Sequence, residues 1–296
     1  MNKALFIINP VSGVRNSLTI FNSIKQKFIQ NKITFDTLVT EYKNHALEYL
    51  YTVDKSAYDS IFAIGGDGTY HEIINGILKR KDNYNPTLGF IPGGSGNSLM
   101  HDFNCLDPNE ASDKILNLNV KKLDVMELQF ADKKEYAFNI LGWGMATDIG
   151  LLAEKIRWVG PSRYTVASLI EILKLNKRSA TIIIDGKEYL NEYIFLLICN
   201  TIYTGNAMMA APNARVDDGL LDVVILNKEI SRIELLKLLP TLFKGEHLKS
   251  PYVDYKIAKK IELKPRNDEI LNIDGEIKNY TPVKIKILKH KLSIYR

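Results

Sequence analysis

Residues 60–78, SIFAIGGDGTYHEIINGIL, change abruptly in character, and this change decides the fold. Residues 60–64 form an apolar run typical of a buried strand, and the apolar side chains after Thr69 recur at helical spacing. Thr69 with Glu72 matches a capping box, which predicts a helix start. Residues 65–68, GGDG, lie between strand and helix, where glycines let a ligand approach the backbone and a helix N-terminus offers N–H groups. The stretch predicts either a phosphate-binding turn or a tight strand-to-helix turn.

A second glycine-rich turn, PGGSGN at residues 92–97, follows an apolar strand at 87–91. Neither turn fits GxxxxGKS/T or GxGxxG, which argues against a P-loop NTPase and a dehydrogenase. Asp67 in the first turn would repel phosphate unless it holds Mg²⁺ or accepts a proton from an attacking hydroxyl. Two such turns on parallel strands predict one polyphosphate site.

The first part of the chain alternates strand and helix patterns. Apolar runs predict strands at 4–8, 35–40, 60–64 and 87–91, and helical spacing predicts helices near 18–28, 45–50 and 70–79. Such alternation is typical of a doubly wound parallel sheet, whose ligands lie beyond the carboxyl ends of the strands. We predict an α/β domain for residues 1–122.

Strand patterns dominate after residue 122. Runs at 123–130, 136–141, 180–184, 193–199, 220–226, 257–263 and 283–288 predict strands, and the patterns at 151–175 and 231–243 predict helices. Asp185-Gly186 predicts a hairpin turn. Residues 123–296 are therefore predicted to form a mostly antiparallel β domain with added helices.

Composition describes an ordinary globular chain of 296 residues with a formal net charge of +5. Residues 246–296 hold twelve Lys or Arg and seven Asp or Glu, so this segment carries the excess. Its lysines, including Lys256, Lys259, Lys260 and Lys264, suit either an anionic lipid surface or a solvated face. Two distant cysteines and the lack of a long apolar run predict reduced thiols and no transmembrane helix.

Three motifs in order carry a family resemblance: NPVSG at 9–13, GGDGT at 65–69 and PGGSGN at 92–97. With FNILGWGMATDIGLLAEKIRWVGPSRY at 138–164, they resemble the diacylglycerol kinase, sphingosine kinase and ceramide kinase family. The resemblance implies an ATP-dependent lipid kinase. It implies an α/β nucleotide-binding domain followed by a β-sandwich lipid-binding domain, with the last strand returning to the first domain.

The resemblance also implies which residues bind the nucleotide. The matching positions are Asn9, Pro10, Thr40, Asn44, Gly65, Gly66, Asp67, Gly68, Thr69, Ser95, Arg157 and Arg163. Guanidinium groups suit phosphate oxygens, although spacing alone fits a surface arginine beside an amphipathic helix equally well.

Catalytic carboxylates follow from the same resemblance. Asp274 and Glu276 match the DGE motif of the family, in which the bacterial diacylglycerol branch uses the glutamate as general base. The sphingosine branch uses the aspartate of the glycine-rich turn, which is Asp67 here. Both are present, so the base stays open, and without the resemblance Asp274-Gly275 is an ordinary hairpin turn.

The expected cofactors are ATP and Mg²⁺. The family pattern implies a further structural Mg²⁺ at Asp218 and the backbone carbonyls of Arg215 and Leu220. A turn before the strand at 220–226 explains the same residues without a metal.

The substrate is predicted to be a membrane lipid with a hydroxyl group. Asp148 matches a substrate-binding position, but Gly150 stands where sphingosine kinases carry a second acidic residue, and Ser98 replaces an aspartate usual in bacterial members. Gly150 weakens the case for sphingosine, whereas diacylglycerol and ceramide need no carboxylate for an amine and stay open. The predicted substrate is diacylglycerol or a related lipid, with a sphingoid base or ceramide as the alternative. A kinase of a soluble substrate resembling NAD kinase, and a non-catalytic lipid-binding protein, are the competing hypotheses.

Partners and location follow from the lipid substrate. We expect a cytoplasmic protein, peripheral at the inner face of the membrane and active in phospholipid metabolism, with no nucleic-acid partner. A homodimer is one oligomeric state that the sequence leaves open.

Overall fold

A computed structural model describes residues 3–13, 16–205, 207–227 and 229–296. For Arg157, Pro161 and Asn227 it describes the backbone only. Within these ranges, no helix combines the length and the apolar character that crossing a bilayer requires.

The first ten elements alternate as the sequence predicts. They are β1 (Lys3–Ile8), α1 (Ser17–Gln30), β2 (Thr34–Val39), α2 (His45–Thr52), β3 (Ser60–Gly65), α3 (Asp67–Leu78), β4 (Thr87–Pro92), α4 (Ser98–Asp102), α5 (Pro108–Leu116) and β5 (Val120–Gln129). Every strand and helix predicted before residue 120 is present within a few residues of its predicted place.

Strands dominate the rest of the chain. The elements are β6 (Lys134–Ala137), β7 (Ile140–Gly144), α6 (Met145–Lys155), α7 (Arg163–Lys174), β8 (Arg178–Ile184), β9 (Lys187–Cys199), β10 (Tyr203–Thr204), β11 (Met208–Met209), β12 (Leu221–Asn227), α8 (Arg232–Leu238), β13 (Val253–Ala258), β14 (Lys260–Pro265), β15 (Ile270–Ile273), β16 (Glu276–Tyr280) and β17 (Val283–Tyr295). Short 3₁₀ segments occupy Arg157–Ser162, Leu239–Lys244 and Glu246–Lys249.

The chain divides into two compact units. Unit 1 comprises Met1–Val125, Glu135–Ala137 and Leu288–Arg296, and unit 2 comprises Met126–Lys134 and Phe138–Ile287. The domain boundary predicted after residue 122 falls inside β5. Strand β17 gives its first residues to unit 2 and its last residues to unit 1.

Unit 1 is built on a parallel sheet in the order β2-β1-β3-β4, which the end of β17 extends beside β4. Helix α1 packs on α5 and helix α2 on α3. Because the strands run in one direction, their carboxyl ends and the turns that follow them share one edge of the sheet. This is the predicted doubly wound α/β fold.

An aromatic cluster forms the core of unit 1. The ring of Phe6 on β1 meets the rings of Phe21, Phe28, Phe35 and Phe62 with centroid distances between 4.9 and 5.1 Å. All four contacts are edge-to-face, the favoured geometry for aromatic pairs. Residues 4–8 of β1 are all at most 1% exposed, so this strand is buried on both faces of the sheet.

Unit 2 is antiparallel, as predicted. Its strands follow the order β16-β15-β7-β9-β8-β14-β17, and β12 pairs with both β9 and β13. The hairpin of β8 and β9 turns at Asp185 and Gly186, whose φ angles of 47° and 86° fit the predicted Asp-Gly turn. Helices α6, α7 and α8 are the added helices.

Three predicted elements have different bounds. The helix predicted at 151–175 is two helices, α6 and α7, separated by a 3₁₀ segment in which Gly160 has a φ of 75°. The strand predicted at 136–141 is interrupted between β6 and β7, and the strand predicted at 257–263 is interrupted between β13 and β14. At both strand breaks an aspartate carboxylate takes the backbone N–H groups, as described below.

Candidate active site

Three glycine-containing turns of unit 1 lie in backbone contact. A methyl group on Gly94 would lie 2.4 Å from the Cα of Gly66, and one on Gly13 would lie 2.6 Å from the carbonyl oxygen of Gly93. The N–H of Gly93 donates to the carbonyl of Gly65 at 2.7 Å. Glycine is needed in these turns because no side chain fits between the backbones.

Helix α3 begins three residues before the predicted start. Gly66 is its N-cap residue and Asp67 its first residue, so the predicted capping box of Thr69 and Glu72 is wrong. Thr69 lies in the first turn instead, and its Oγ1 accepts a hydrogen bond from Nδ2 of Asn9 at 2.9 Å. This bond ties the turn after β1 to the start of α3.

The carboxylate of Asp67 lies at the start of α4. It accepts hydrogen bonds from the backbone N–H of Ser98 at 2.9 Å and of Leu99 at 3.4 Å. Asp67 thus joins the two glycine-rich turns, with its negative charge at the helix end that favours an anion.

The other predicted nucleotide residues of unit 1 lie along the same sheet edge. Thr40 is buried, and its N–H donates to the carbonyl of Ile8 at 2.9 Å. Asn44 is exposed with a left-handed φ of 70°, and its N–H donates to Oε1 of Glu72 at 2.8 Å. Pro10 is half-buried and Ser95 is exposed.

Asp274 anchors a hairpin turn in unit 2. With φ angles of 52° and 91°, Asp274 and Gly275 turn the chain from β15 into β16. The buried carboxylate accepts the N–H of Phe138 at 3.1 Å, of Asn139 at 2.9 Å and of Ile140 at 3.1 Å. These bonds satisfy the backbone N–H groups at the break between β6 and β7. Glu276 is half-buried and follows the turn as the first residue of β16.

Asp148 on α6 belongs to an ion-pair cluster. Its Oδ2 lies 2.7 Å from Nη2 of Arg178, and Nε of the same arginine lies 2.6 Å from Oε2 of Glu269. The three side chains are between 19% and 25% exposed. Burial raises the pKa of Asp148 and of Glu269 above the ordinary carboxyl values, and Arg178 opposes both shifts.

The two predicted arginines lie before and at the start of α7. The side chain of Arg157 lies outside the described residues. Arg163 is the first residue of α7, where its Nη2 lies 4.0 Å from Oε1 of Glu154 and its guanidinium lies 5.0 Å from the ring centre of Tyr164.

The predicted structural metal site has the geometry of a turn. Oδ1 of Asp218 accepts the N–H of Leu220 at 2.9 Å, and the exposed Arg215 lies 3.4 Å from Asp217. Throughout the described part of the chain, no three His, Cys, Asp or Glu side chains gather as a metal site would require. The predicted site uses carbonyl oxygens, so its donors are of the kind that Mg²⁺ prefers.

Two family models together match almost the whole chain. The YegS C-terminal NAD kinase beta sandwich-like domain matches residues 139–296, more than half of the chain, and the diacylglycerol kinase catalytic domain matches residues 3–128. The chain belongs to this family of lipid kinases. The predicted family and the predicted kinase activity are thereby confirmed.

Curated relatives of this lipid kinase carry names from two branches. It is 27% identical to sphingosine kinase 1 of Arabidopsis thaliana, over 93% of this chain and 68% of the relative. It is 28% identical to the diacylglycerol kinase of Bacillus subtilis, over 95% of this chain and 92% of the relative.

Solved structures confirm the fold of the lipid kinase. The crystal structure of a diacylglycerol kinase from Bacillus anthracis has a TM-score of 0.80, with 24% identity, over 99% of this chain and 96% of the other. An NAD kinase from Archaeoglobus fulgidus, solved with ATP, has a TM-score of 0.52 with 13% identity, over 99% and 93% of the two chains.

Sequence reasoning missed two residues of this lipid kinase. Arg178, at the start of β8, pairs with Asp148 on α6 although the two are 30 residues apart in the sequence, and no local pattern marks it. Glu72 was assigned to a cap, whereas it holds the turn at Asn44. An asparagine immediately before a helical pattern is the one local signal for that turn, because asparagine tolerates a left-handed backbone.

Proposed function

We propose that this lipid kinase transfers the γ-phosphate of ATP to the hydroxyl of a membrane lipid with an uncharged head group, of which diacylglycerol is the simplest. The ion-pair cluster of Asp148 carries this proposal. A lipid amine needs a carboxylate that is available to it, but Asp148 is held by Arg178 at 2.7 Å. A hydroxyl-bearing head group needs no such charge.

Gly150, at the position where sphingosine kinases carry a second acidic residue, gives independent support. Gly150 packs against the hairpin of Glu276, because a methyl group on it would lie 3.0 Å from Cδ1 of Ile277. Position 150 therefore supplies no carboxylate for a lipid amine. The relatives named sphingosine kinase keep a sphingoid base or ceramide as the second candidate.

For the nucleotide, we assign the phosphates to the turn that begins helix α3. Its first turn carries backbone N–H groups, and glycines at 65, 66 and 68 allow an anion to approach them. Thr69, Ser95 and Asn9 offer polar side chains around this turn, and Arg163 adds a guanidinium suited to phosphate oxygens. ATP is the phosphate donor in this assignment.

Magnesium fits Asp67 better than Asp274. Asp67 is half-buried and lies in the first turn of α3, beside the N–H groups assigned to the phosphates, so a cation held by its carboxylate would lie close to them. Asp274 already accepts three N–H groups and is 4% exposed. Mg²⁺ bound at Asp67 would screen the phosphate charges, and the structural Mg²⁺ near Asp218, with the Arg215 and Leu220 carbonyls, remains part of the proposal.

In the proposed transfer, the lipid hydroxyl oxygen bonds to the γ-phosphorus as the bond from that phosphorus to the bridging oxygen breaks. The hydroxyl proton passes to a carboxylate, either Glu276 of unit 2 or Asp67 of unit 1. Because the lipid resides in a bilayer, we also propose a cytoplasmic protein that binds the inner face of the membrane peripherally.

The deciding experiment is thin-layer chromatography of single lipids incubated with the protein, Mg²⁺ and labelled ATP. Diacylglycerol, monoacylglycerol, ceramide, sphingosine and undecaprenol form the panel. We expect label in diacylglycerol or monoacylglycerol and none in sphingosine. Label in sphingosine alone would overturn the assignment of an uncharged head group, and phosphorylation of NAD without any lipid would overturn the substrate class.

Variants separate the two bases. Glu276→Ala and Asp67→Ala are compared with Asp185→Ala, which removes a turn carboxylate elsewhere in unit 2. Asp67→Ala should lower kcat in either case, because Asp67 is also the proposed Mg²⁺ ligand. A fall of at least about a hundredfold in Glu276→Ala would make Glu276 the base, whereas an unchanged kcat in that variant would leave Asp67 as the base, and the control should leave kcat unchanged. Unchanged transfer by both would refute the catalytic assignment.

A further inference from the structure

Two helices of unit 2 turn large apolar side chains outward. On α7, Leu169 is 42% and Leu173 is 63% exposed; on α8, Ile233 is 67% and Leu236 is 38% exposed. The pairs are spaced four and three residues apart, so each pair forms a stripe along its helix. Such stripes at solvent are informative when they join into one patch.

The two stripes lie on the same side of the fold. Nε of Arg232 on α8 donates to the backbone carbonyl of Leu173 on α7 at 2.7 Å, so the start of one helix meets the end of the other. Ile172 and Leu235, on the inner faces of the same helices, are buried in one hydrophobic cluster. The outer stripes therefore point away from that shared core together.

Two exposed aromatic side chains lie in the segments that adjoin these helices in the chain. Trp158 lies in the 3₁₀ segment before α7 and is 85% exposed, and Phe243 lies in the 3₁₀ segment after α8 and is 52% exposed. We call Trp158, Leu169, Leu173, Ile233, Leu236 and Phe243 the α7–α8 face. A tryptophan so exposed is costly in water and typical of a membrane interface.

Exposed basic side chains outnumber exposed acidic ones on the elements that carry this face. The basic ones on α6, α7, α8 and their adjoining segments are Lys155, Lys174, Lys177, Arg232, Lys237 and Lys244, and the acidic ones are Glu154, Glu229 and Glu246. Lys174 also pairs with the buried Glu171 at 2.7 Å. These elements therefore combine exposed apolar groups with an excess of positive charge.

We propose that the α7–α8 face is the surface by which this lipid kinase rests on a bilayer that contains anionic lipid. Apolar side chains would enter the interface while the flexible lysine and arginine side chains reach the head-group phosphates. The proposal rests on the proposed function, because a lipid substrate requires a protein that reaches the bilayer.

Charge favours the bilayer over a second copy of the chain. Two copies joined through this face in a symmetric dimer would set lysines and arginines against their equivalents. The basic C-terminal segment is a weaker candidate for the membrane surface. Its Lys264 and Lys284 both face Glu262, at 2.8 and 3.8 Å, and Lys286 lies 2.9 Å from Glu127.

The tryptophan content offers a direct test. The chain has two tryptophans, of which Trp143 is fully buried and Trp158 is exposed. Vesicles of phosphatidylcholine and phosphatidylglycerol with brominated acyl chains quench only a tryptophan that enters them. We expect quenching that Trp158→Phe abolishes, whereas unquenched fluorescence with bound vesicles would place the membrane contact elsewhere and overturn the proposal.

A binding measurement completes the test. Leu173→Gln with Ile233→Gln should weaken flotation with these vesicles at least about tenfold, because each substitution removes an apolar side chain from the interface. The matched control is Leu190→Gln on β9, which is 75% exposed away from these helices and should change nothing. Equal loss in both variants, or a dimer that only the double variant dissociates, would overturn the proposal.

Vesicle binding requires no catalytic turnover, so the proposed membrane surface and the proposed substrate can be refuted independently. Vesicle binding through this face without phosphorylation of any lipid would refute the proposed substrate and leave the surface standing. Phosphorylation of a dispersed short-chain lipid, with no loss of vesicle binding in the double variant, would refute the surface and leave the kinase standing.

Discussion

Two aspartates of unit 2 perform the same structural task at different depths. Asp185 and Asp274 each open an Asp-Gly turn, and each carboxylate accepts backbone N–H groups from a neighbouring strand break. Asp185 is exposed and accepts the backbone N–H groups of Lys259 and Lys260. Asp274 is buried and accepts the backbone N–H groups of residues 138–140. The buried one fixes the turn that precedes Glu276, so in the proposed mechanism it would act by positioning Glu276.

Asp274→Asn should lower the free energy of unfolding by about 2 kcal/mol, because the new amide would face the N–H of Phe138 with a donor. We expect kcat to fall while the Mg²⁺ concentration for half-maximal activity stays the same, since Asp274 holds backbone and not metal. Urea unfolding and a magnesium titration measure the two effects. Asp185→Asn is the control, and a changed magnesium requirement at full stability would make Asp274 a ligand.

Asp222 on β12 should make the stability of unit 2 depend on pH. It is buried, and burial raises its pKa to about 6, opposed by a hydrogen bond from Tyr255. A carboxyl whose pKa is raised on folding stabilises the fold below its unfolded pKa and loses this contribution as pH rises through the folded value.

Between about pH 4 and about pH 7, the wild type should therefore lose about 3 kcal/mol of unfolding free energy relative to Asp222→Asn. Urea unfolding at several pH values measures the difference, with the exposed Asp254→Asn on neighbouring β13 as control. Parallel curves for the wild type and Asp222→Asn would show that Asp222 does not titrate in this range.

At the scale of elements, the glycine-rich turns pack against one another, with or without a ligand. Gly13, Gly66 and Gly94 belong to turns after three different strands, yet their backbones touch. The glycines at the seam of β3 and α3 therefore have a structural reason that holds whether or not phosphate binds there. Phosphate binding would use the N–H groups that this packing holds in place.

Gly94→Ala should push apart the turns after β3 and β4, since the added carbon would meet backbone at 2.4 Å. We expect a loss of about 2 kcal/mol or more in unfolding free energy and at least about tenfold weaker ADP binding by calorimetry. Gly150→Ala is the control, because there the added carbon meets only the flexible tip of Ile277. Normal ADP binding by Gly94→Ala would separate the turns from the nucleotide site.

The sequence predicted correctly those strands and helices that have a local hydrophobic pattern. The apolar runs of β1, β3 and β4 and the helices between them were predictable because buried parallel strands need no partner pattern to be recognised. The break at Gly160, the cluster of Arg178 with Asp148, and the start of α3 at Asp67 were not predicted. The cluster and the contact of Asn9 with Thr69 at the start of α3 join residues far apart in the sequence, which no local spacing records. The break at Gly160 does have a local signal, because a glycine before a proline disfavours a continuous helix.

At the scale of the whole molecule, the last strand completes the sheet of the first unit. Residues 288–296 belong to unit 1, where Ser293 and Ile294 pair with Thr87 and Leu88 of β4. Leu292 and Ile294 are fully buried, and the hydroxyl of Tyr295 lies 3.0 Å from Oγ of Ser60. Unit 1 is therefore incomplete without the last strand.

Removing residues 288–296 should destabilise unit 1 by at least about 4 kcal/mol, from the loss of three buried side chains. Hydrogen exchange of the backbone amides of Thr87–Pro92 measures this, and we expect it to become much faster. Removing Arg296 alone, which stacks on Phe103 at 4.3 Å, is the control and should have a small effect. Unchanged exchange in β4 after the longer deletion would contradict the role of this strand.

The late return of β17 has a consequence for biosynthesis. A ribosome makes the turns after β1, β3 and β4 early, but it makes the strand segment that pairs with the flank of β4 only after residues 138–287. Until residues 288–296 emerge, that flank of β4 in the nascent unit 1 is uncovered. We expect a chaperone at the tunnel exit to have access to the flank while unit 2 is synthesised, and nucleotide binding at the proposed site to follow the emergence of β17.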